Sequence, residues 1–284
     1  MLNNLQRVHA LNQSLSFIQS LANSTIVIKY GGAAMISDHL KQAVIDDIVL
    51  LSCIGARLVL VHGGGPLINT WLQKMNIQPS FKDGLRVTDY DTMQIVEMVL
   101  SAKINKELVS LIGQRKPCAV GLSGKDAGLI KASKLSNSGN DYAGSVKTVN
   151  LKLVNDLLNN GYIPVVSSVS SDESGETYNI NADTVAGSIA KSLEADQLIL
   201  LTDTPGIMLD INDSDTSFSL LSVAEADNLK SANIISGGMI PKVNCCIDAL
   251  KNNVKSAHII DGKVKHSLLF HLLTSESVGS TLTL

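Results

Sequence analysis

A repeated handover from strand to helix limits what this 284-residue chain can fold into more than any other feature. Short β-branched and aliphatic runs stand at Thr25–Tyr30, Arg57–His62, residues 117–122, residues 163–168, Gln197–Thr202 and residues 257–260. Segments of helical period lie between most of them. Residues 38–54 put Leu40, Val44, Ile48 and Leu51 on one face, and residues 89–112 do the same with Met93, Val96, Leu100, Ile104 and Leu108. Residues 151–159, 181–193 and 239–251 complete the set. The strand runs are apolar throughout rather than alternating, so both of their faces must be covered. Such strands, alternating with amphipathic helices, predict an α/β fold with a mainly parallel sheet between helical layers. Aromatics make up only 4% of the chain against 45% hydrophobic residues, so the core is expected to be aliphatic.

Composition removes several classes of function. With 23 Lys+Arg against 26 Asp+Glu, the net charge of −3 leaves no basic footprint for nucleic acid. No apolar run reaches the roughly 18 residues that a membrane-spanning helix needs. Cys53, Cys118, Cys245 and Cys246 show no C-x-x-C spacing and are expected to be buried, reduced thiols of an intracellular protein. The six histidines form no H-E-x-x-H pattern, and no metal ligand is predicted.

Two segments break the rhythm. Residues 129–149, with their Ser, Asn and Gly clusters, are predicted to form a β-hairpin rather than another strand–helix unit. Residues 1–24 lack both the apolar block of a secretory signal and the Arg-richness of a transit peptide. Their Leu5, Val8, Leu11, Leu15, Ile18 and Leu21 form a helical stripe. That helix either packs on its own subunit or finds its apolar partner in another. A domain boundary is expected near residues 192–196, where a new strand–helix series begins.

Three glycine elements adjoin these units: Lys29-Tyr30-Gly31-Gly32, His62-Gly63-Gly64-Gly65-Pro66 and Ser236-Gly237-Gly238-Met239. Glycines between a strand and a helix let backbone N–H groups converge on an anion, at the strand ends where open α/β sheets bind ligands. The common nucleotide motifs fail. Gly121-Leu122-Ser123-Gly124-Lys125-Asp126 is too short for a P-loop, and Ile68 occupies the third glycine position of G-x-G-x-x-G. H-R-D and D-F-G are absent as well. Phosphoryl transfer requires positive charge along the transferred group and little covalent chemistry. Lys29 ends an apolar strand, Lys242 sits near the start of a helix behind Gly237-Gly238, and Asp183 opens an Ala/Val-rich helix. Each also has an ordinary reading, as an edge lysine, an exposed helix lysine and a helix N-terminal carboxylate. Spacing alone leaves both readings open.

The motifs IVIKYGG, LVHGGGP, GLRVTD, YNINADTVAG, LLTDTPGI and GGMIPKV, in that order across residues 24–279, resemble the amino-acid kinase family and, within it, the acetylglutamate kinases. The resemblance implies a three-layer αβα sandwich in two lobes. Residues 25–194 would bind acetylglutamate and residues 195–284 ATP, behind an oligomerisation helix at residues 1–24. It implies transfer of a phosphoryl group from ATP, with Mg²⁺ carried by the phosphates, to the side-chain carboxylate of N-acetyl-L-glutamate in arginine synthesis. Lys29 and Lys242 match lysines acting in the transition state, and Asp183 the carboxylate that orders them. Gly64, Gly65, Arg86 and Asn179 match acetylglutamate-binding positions. Gly31, Gly32, Thr202, Asp203, Gly206, Gly237 and Gly238 match positions around ATP. A binding module that had lost catalysis would not need the full lysine–aspartate set.

Arginine-inhibited members of the family carry an extra N-terminal helix and form hexamers as trimers of dimers, so the resemblance also implies a homohexamer. It places an L-arginine site at His258, His271 and Glu276, although the pattern usually has Glu at position 271 and Gly at 277. In photosynthetic lineages the hexamers bind the PII signalling protein, a further implied partner. The Asn, Ser, Ile and Lys bias and the missing transit peptide lead us to expect a bacterial cytoplasm or the stroma of a plastid that encodes the protein.

Overall fold

The computed structural model describes residues 3–35, 37–82, 84–135, 141–210, 213–274 and 278–284. At its centre is an eight-stranded sheet. From one edge to the other its strands are Leu220–Ser222, Gly279–Thr283, Ser256–Asp261, Gln197–Thr202, Thr25–Tyr30, Arg57–His62, Ile163–Ser167 and Ala119–Ser123. Pairing is parallel throughout except between Ser256–Asp261 and Gly279–Thr283. The inner strands are buried along nearly their whole length, as their unbroken apolar runs require. Helices cover both faces and divide the core in two. Ile26, Ile28, Leu58 and Leu60 face helix Asp38–Ile54, while Val27, Val59, Val61, Leu198 and Leu200 face helix Ala182–Ser192.

This strand order is what builds the site. Thr25–Tyr30 lies between Arg57–His62 and Gln197–Thr202, with Tyr30 level with His62 and Lys29 level with Leu200. All three strands run the same way, so Gly31, Gly63 and Asp203 leave the sheet side by side along one edge. The hairpin expected at residues 129–149 is present as antiparallel Ile130–Lys134 and Ala143–Val149. Strands Val169–Ser171 and Thr177–Ile180 join it to close a small four-stranded barrel, and Thr177–Ile180 leads directly into Asn181 and helix Ala182–Ser192.

The long helix expected at residues 89–112 runs as Tyr90–Glu97, a widened π-helical stretch Met98–Ile104, and Asn105–Gly113. The widened turns press Leu100 and Ile104 against Gly64, where even a Cβ atom would collide with their methyl groups. Asn105, at the junction, is fully enclosed. Its Nδ2 lies within hydrogen-bond distance of His62 Nε2 (3.1 Å) and of the carbonyls of Leu122 and Val165, which share its two N–H groups.

Several elements had no counterpart in the sequence reading. Helix Gly65–Lys74 is short and starts with Pro66 straight after the glycines. Helices Val223–Ser231 and Ser267–Leu273 and strand Gly279–Thr283 complete the C-terminal part. One expectation is corrected: Cys53 is exposed, because it lies on the solvent side of helix Asp38–Ile54, whereas Cys118 and Cys246 are buried and Cys245 is partly so. Helix Asn4–Leu21 starts with a capping box between Asn3 and Gln6. Leu21 is in the core, but Leu5, Val8, Leu11 and Leu15 remain exposed, so most of the apolar stripe has no partner within the described chain.

Candidate functional site

Asp183 is the hub of the site. It stands in the first turn of helix Ala182–Ser192, whose Asn181 cap accepts from the Asp183 and Thr184 amides at 2.8 and 3.3 Å. The positive end of a helix suits a carboxylate. Its two oxygens go to different lysines: Oδ1 is 2.9 Å from Lys29 Nζ and Oδ2 is 2.8 Å from Lys242 Nζ. Burial alone would raise the Asp183 carboxyl, but the two ammonium groups overcome it and hold the pKa at about 2. Lys29 can fold back over its own turn because Gly31 has no side chain; a Cβ there would come within 2.7 Å of Lys29 Nζ. Lys242 lies in the first turn of helix Met239–Leu250, reached through Gly237 in the left-handed conformation (φ 53°) and Gly238 as the N-cap.

Of the sequence-predicted nucleotide positions, Gly31, Gly32, Thr202 and Asp203 adjoin this bridge. Gly32, at φ 69°, turns the chain back against Asp203, and Thr202 donates to Asp203 Oδ1 at 3.3 Å. Gly206 has a structural requirement of its own. Its φ of 121° and the closeness of Ser280 Oγ, which accepts from the Ile207 amide, leave no space for a side chain. The structure thus brings Lys29, Lys242 and Asp183 together and sets Gly31, Gly32, Thr202 and Asp203 beside them on the sheet edge.

A cavity of about 180 Å³ opens on the other side of the glycine loop, and Gly64, Gly65, Arg86 and Asn179 all line it. Arg86 is 8% exposed. Its Nη2 donates to Asn69 Oδ1 (2.6 Å) and to the Gly65 carbonyl (3.3 Å), and its guanidinium lies over the Phe81 ring at 4.7 Å. Nη1 is enclosed and has no partner. Burial lowers the pKa of this group. Asn179 donates to Thr88 Oγ1, and Thr88 in turn donates to the Arg86 carbonyl. Asp141 accepts from the Thr88 and Ala143 amides, tying this turn to the hairpin. A buried cation with an open donor, beside an amide and a glycine loop, suits a carboxylate.

Asn69 and Asp141 were missed in the sequence reading. Neither carries a motif of its own, and only Asn69's place one helical turn beyond Gly65 hints at a role. His62 is structural here. Burial lowers its pKa to about 4, Nδ1 donates to the Gly63 carbonyl, and Nε2 accepts from Asn105.

His258 and His271 lie away from this edge and touch each other, His271 Nε2 being 2.8 Å from His258 Nδ1. Burial, then the neighbouring His271, pushes His258 down to about 3, and burial also lowers His271. Glu276, the third residue of that predicted site, lies outside the described residues.

The chain matches the amino acid kinase family over residues 24–261. An acetylglutamate kinase of Gracilaria tenuistipitata var. liui is 56% identical over 285 residues, covering 100% of both chains. One from Trichodesmium erythraeum (strain IMS101) is 54% identical, covering 97% of this chain and 94% of its own. Among solved structures, an N-acetylglutamate synthase from Neisseria gonorrhoeae, complexed with coenzyme A and N-acetyl-glutamate, superposes with a TM-score of 0.86 at 25% identity. It covers 98% of this chain, which spans 63% of the synthase.

The Asp183 bridge has a pH signature. A carboxyl held at about 2 when folded, against an ordinary 3.8, stabilises the fold fully above 3.8 and loses that contribution as pH falls towards 2. Urea midpoints followed from pH 4 towards 2 should drop further for the wild type than for Asp183→Asn, by an amount equivalent to roughly 2 kcal/mol. Parallel acid limbs would mean that the bridge is not formed.

Proposed function

The chain belongs to the amino acid kinase family, and we propose that it transfers the γ-phosphoryl group of ATP to the side-chain carboxylate of N-acetyl-L-glutamate. The observation that carries this reading is the Lys29–Asp183–Lys242 bridge, set between the 180 Å³ cavity and the Gly31–Gly32 turn.

In this reading N-acetylglutamate fills the cavity with its α-carboxylate on Arg86 and its neighbouring atoms on Asn179. Its side-chain carboxylate reaches past Gly64 and Gly65 towards the lysines. The nucleotide lies along Gly31, Gly32, Thr202, Asp203 and Gly206, with its phosphates towards Gly237 and Gly238. Mg²⁺ arrives with ATP as a phosphate-bound ion. The attacking carboxylate is already ionised, so the transfer needs no general base, and a neutral, structurally engaged His62 is compatible with that. Lys29 and Lys242 can approach the moving phosphoryl group from two sides. Positive charge aimed where negative charge spreads in the transition state is the main means of accelerating such a reaction. Asp183 keeps the two ammonium groups apart and oriented before substrate arrives, so little reorganisation is left for the chemical step.

The unpartnered stripe Leu5, Val8, Leu11 and Leu15 favours assembly through helix Asn4–Leu21, and we assign it to a homohexamer. Sedimentation of the full chain should give six copies, and removal of residues 1–22 should give a smaller species; a full chain that sediments as a monomer contradicts the assignment. L-arginine feedback at His258, His271 and Glu276 belongs to the same reading. Calorimetric heat and inhibition at millimolar L-arginine support it, and the absence of both overturns it.

ADP release with N-acetylglutamate, glutamate, aspartate and carbamate in parallel tests the acceptor. Turnover is expected with N-acetylglutamate, and turnover with another acid in its place overturns the reading. Lys242→Ala should lower kcat by about 10²–10³ while moving the acetylglutamate KM far less. An unchanged kcat would remove Lys242 from the transition state.

A further inference from the structure

The grip on Arg86 carries information beyond the cavity itself. A buried guanidinium keeps its proton and has five N–H donors to satisfy. Here one nitrogen, Nη2, is committed to Asn69 Oδ1 at 2.6 Å and to the Gly65 carbonyl at 3.3 Å. The face of the group rests on Phe81. Nη1 is enclosed and unsatisfied. Among the described residues no carboxylate pairs with Arg86. Among the described residues, the groups that hold this cation are neutral: a carbonyl, an aromatic face and the Asn69 amide.

Asn69 is well placed for such a role. It lies on helix Gly65–Lys74, one turn beyond Gly65, so the same short helix that starts at the glycine loop also delivers the Arg86 acceptor. Ile68, beside it in sequence, is buried and anchors that turn. The amide must present its oxygen, because its NH₂ would face another donor.

Resting on the kinase reading above, we propose that Asn69 is a positioning residue that selects for the acceptor's carboxylate by holding Arg86 with an uncharged oxygen. The acceptor fixes the plane of the guanidinium and leaves its positive charge unspent. An aspartate of the same shape would hold Arg86 as well or better, through a charge-assisted bond. It would also neutralise the group and repel an incoming carboxylate across a short, poorly solvated distance. Amide and carboxylate are thus alike in shape and opposite in consequence, which separates positioning from mere packing.

Asn69→Asp and Asn69→Ala, measured beside the wild type, test this. Asn69→Asp should raise the acetylglutamate KM about 10–100-fold, and Asn69→Ala about 3–10-fold through lost orientation. In both variants KM for ATP and kcat at saturating acetylglutamate should stay within about 3-fold of the wild type. At neutral pH, where the new carboxyl beside Arg86 stays ionised, the Asn69→Asp penalty should exceed that of Asn69→Ala. Calorimetric affinity for acetylglutamate alone should follow the KM values. An Asn69→Asp enzyme with wild-type KM overturns the inference, as does an Asn69→Asp penalty that Asn69→Ala matches. A wild type that neither binds nor phosphorylates N-acetylglutamate overturns the kinase reading and this inference with it. A wild type that does both while Asn69→Asp is unaffected overturns the inference alone.

Discussion

Much of the arrangement at the sheet edge depends on one carboxylate that two lysines share. Asp183 is nearly enclosed, and a lone buried charge would be costly. It is stable there because Lys29 and Lys242 meet it at 2.9 and 2.8 Å, and because it sits at the positive end of its helix. The dependence is mutual. Without Asp183, two ammonium groups would face one another across a small space. The bridge draws together a strand near residue 29, a helix at 183 and a helix at 242, so parts of the chain more than two hundred residues apart share a single electrostatic contact.

The sheet makes that contact possible. Thr25–Tyr30 sits between the strands leading to the Gly63 loop and to Asp203, so the proposed acceptor side and the proposed nucleotide side meet on either hand of Lys29. Glycine is required at particular points for steric reasons. Gly31 makes room for Lys29 Nζ, and Gly64 makes room for Leu100 and Ile104 on the widened helix behind it. The cavity is walled by glycine backbone, by apolar side chains such as Ile68, Phe81 and Leu100, and by the Asn179 and Asn181 amides, with Arg86 as a buried cation. In the proposed reaction, the cations on the lysine side act on the phosphoryl group and the cation on the cavity side on the acceptor's carboxylate.

Much of this was legible in the sequence. The apolar runs at Thr25–Tyr30, Arg57–His62 and Gln197–Thr202 match strands whose burial on both faces explains their composition. The period of residues 38–54 matches its helix at both ends. Lys29, Asp183 and Lys242 could be singled out individually, but their convergence could not be read from spacing, because strand order is a tertiary property. Helix Gly65–Lys74 went unseen because it is short and its glycines read as a loop. Asn69 went unseen with it, since its meaning comes from a hydrogen bond to Arg86 rather than from any pattern. Cys53 was misjudged because burial was inferred from residue type, while its position on the solvent side of a helix decided the matter.

In the proposed reaction the bridged lysines recognise the transferring phosphoryl group more strongly than either substrate. The direct measure is the affinity for ADP, a planar metal fluoride and N-acetylglutamate together, set against the affinities for ATP and N-acetylglutamate separately, in wild type and Asp183→Asn. Asp183→Asn should weaken the transition-state mimic by about 10²-fold or more and each ground-state ligand by only a few fold. Equal weakening of all three would contradict it.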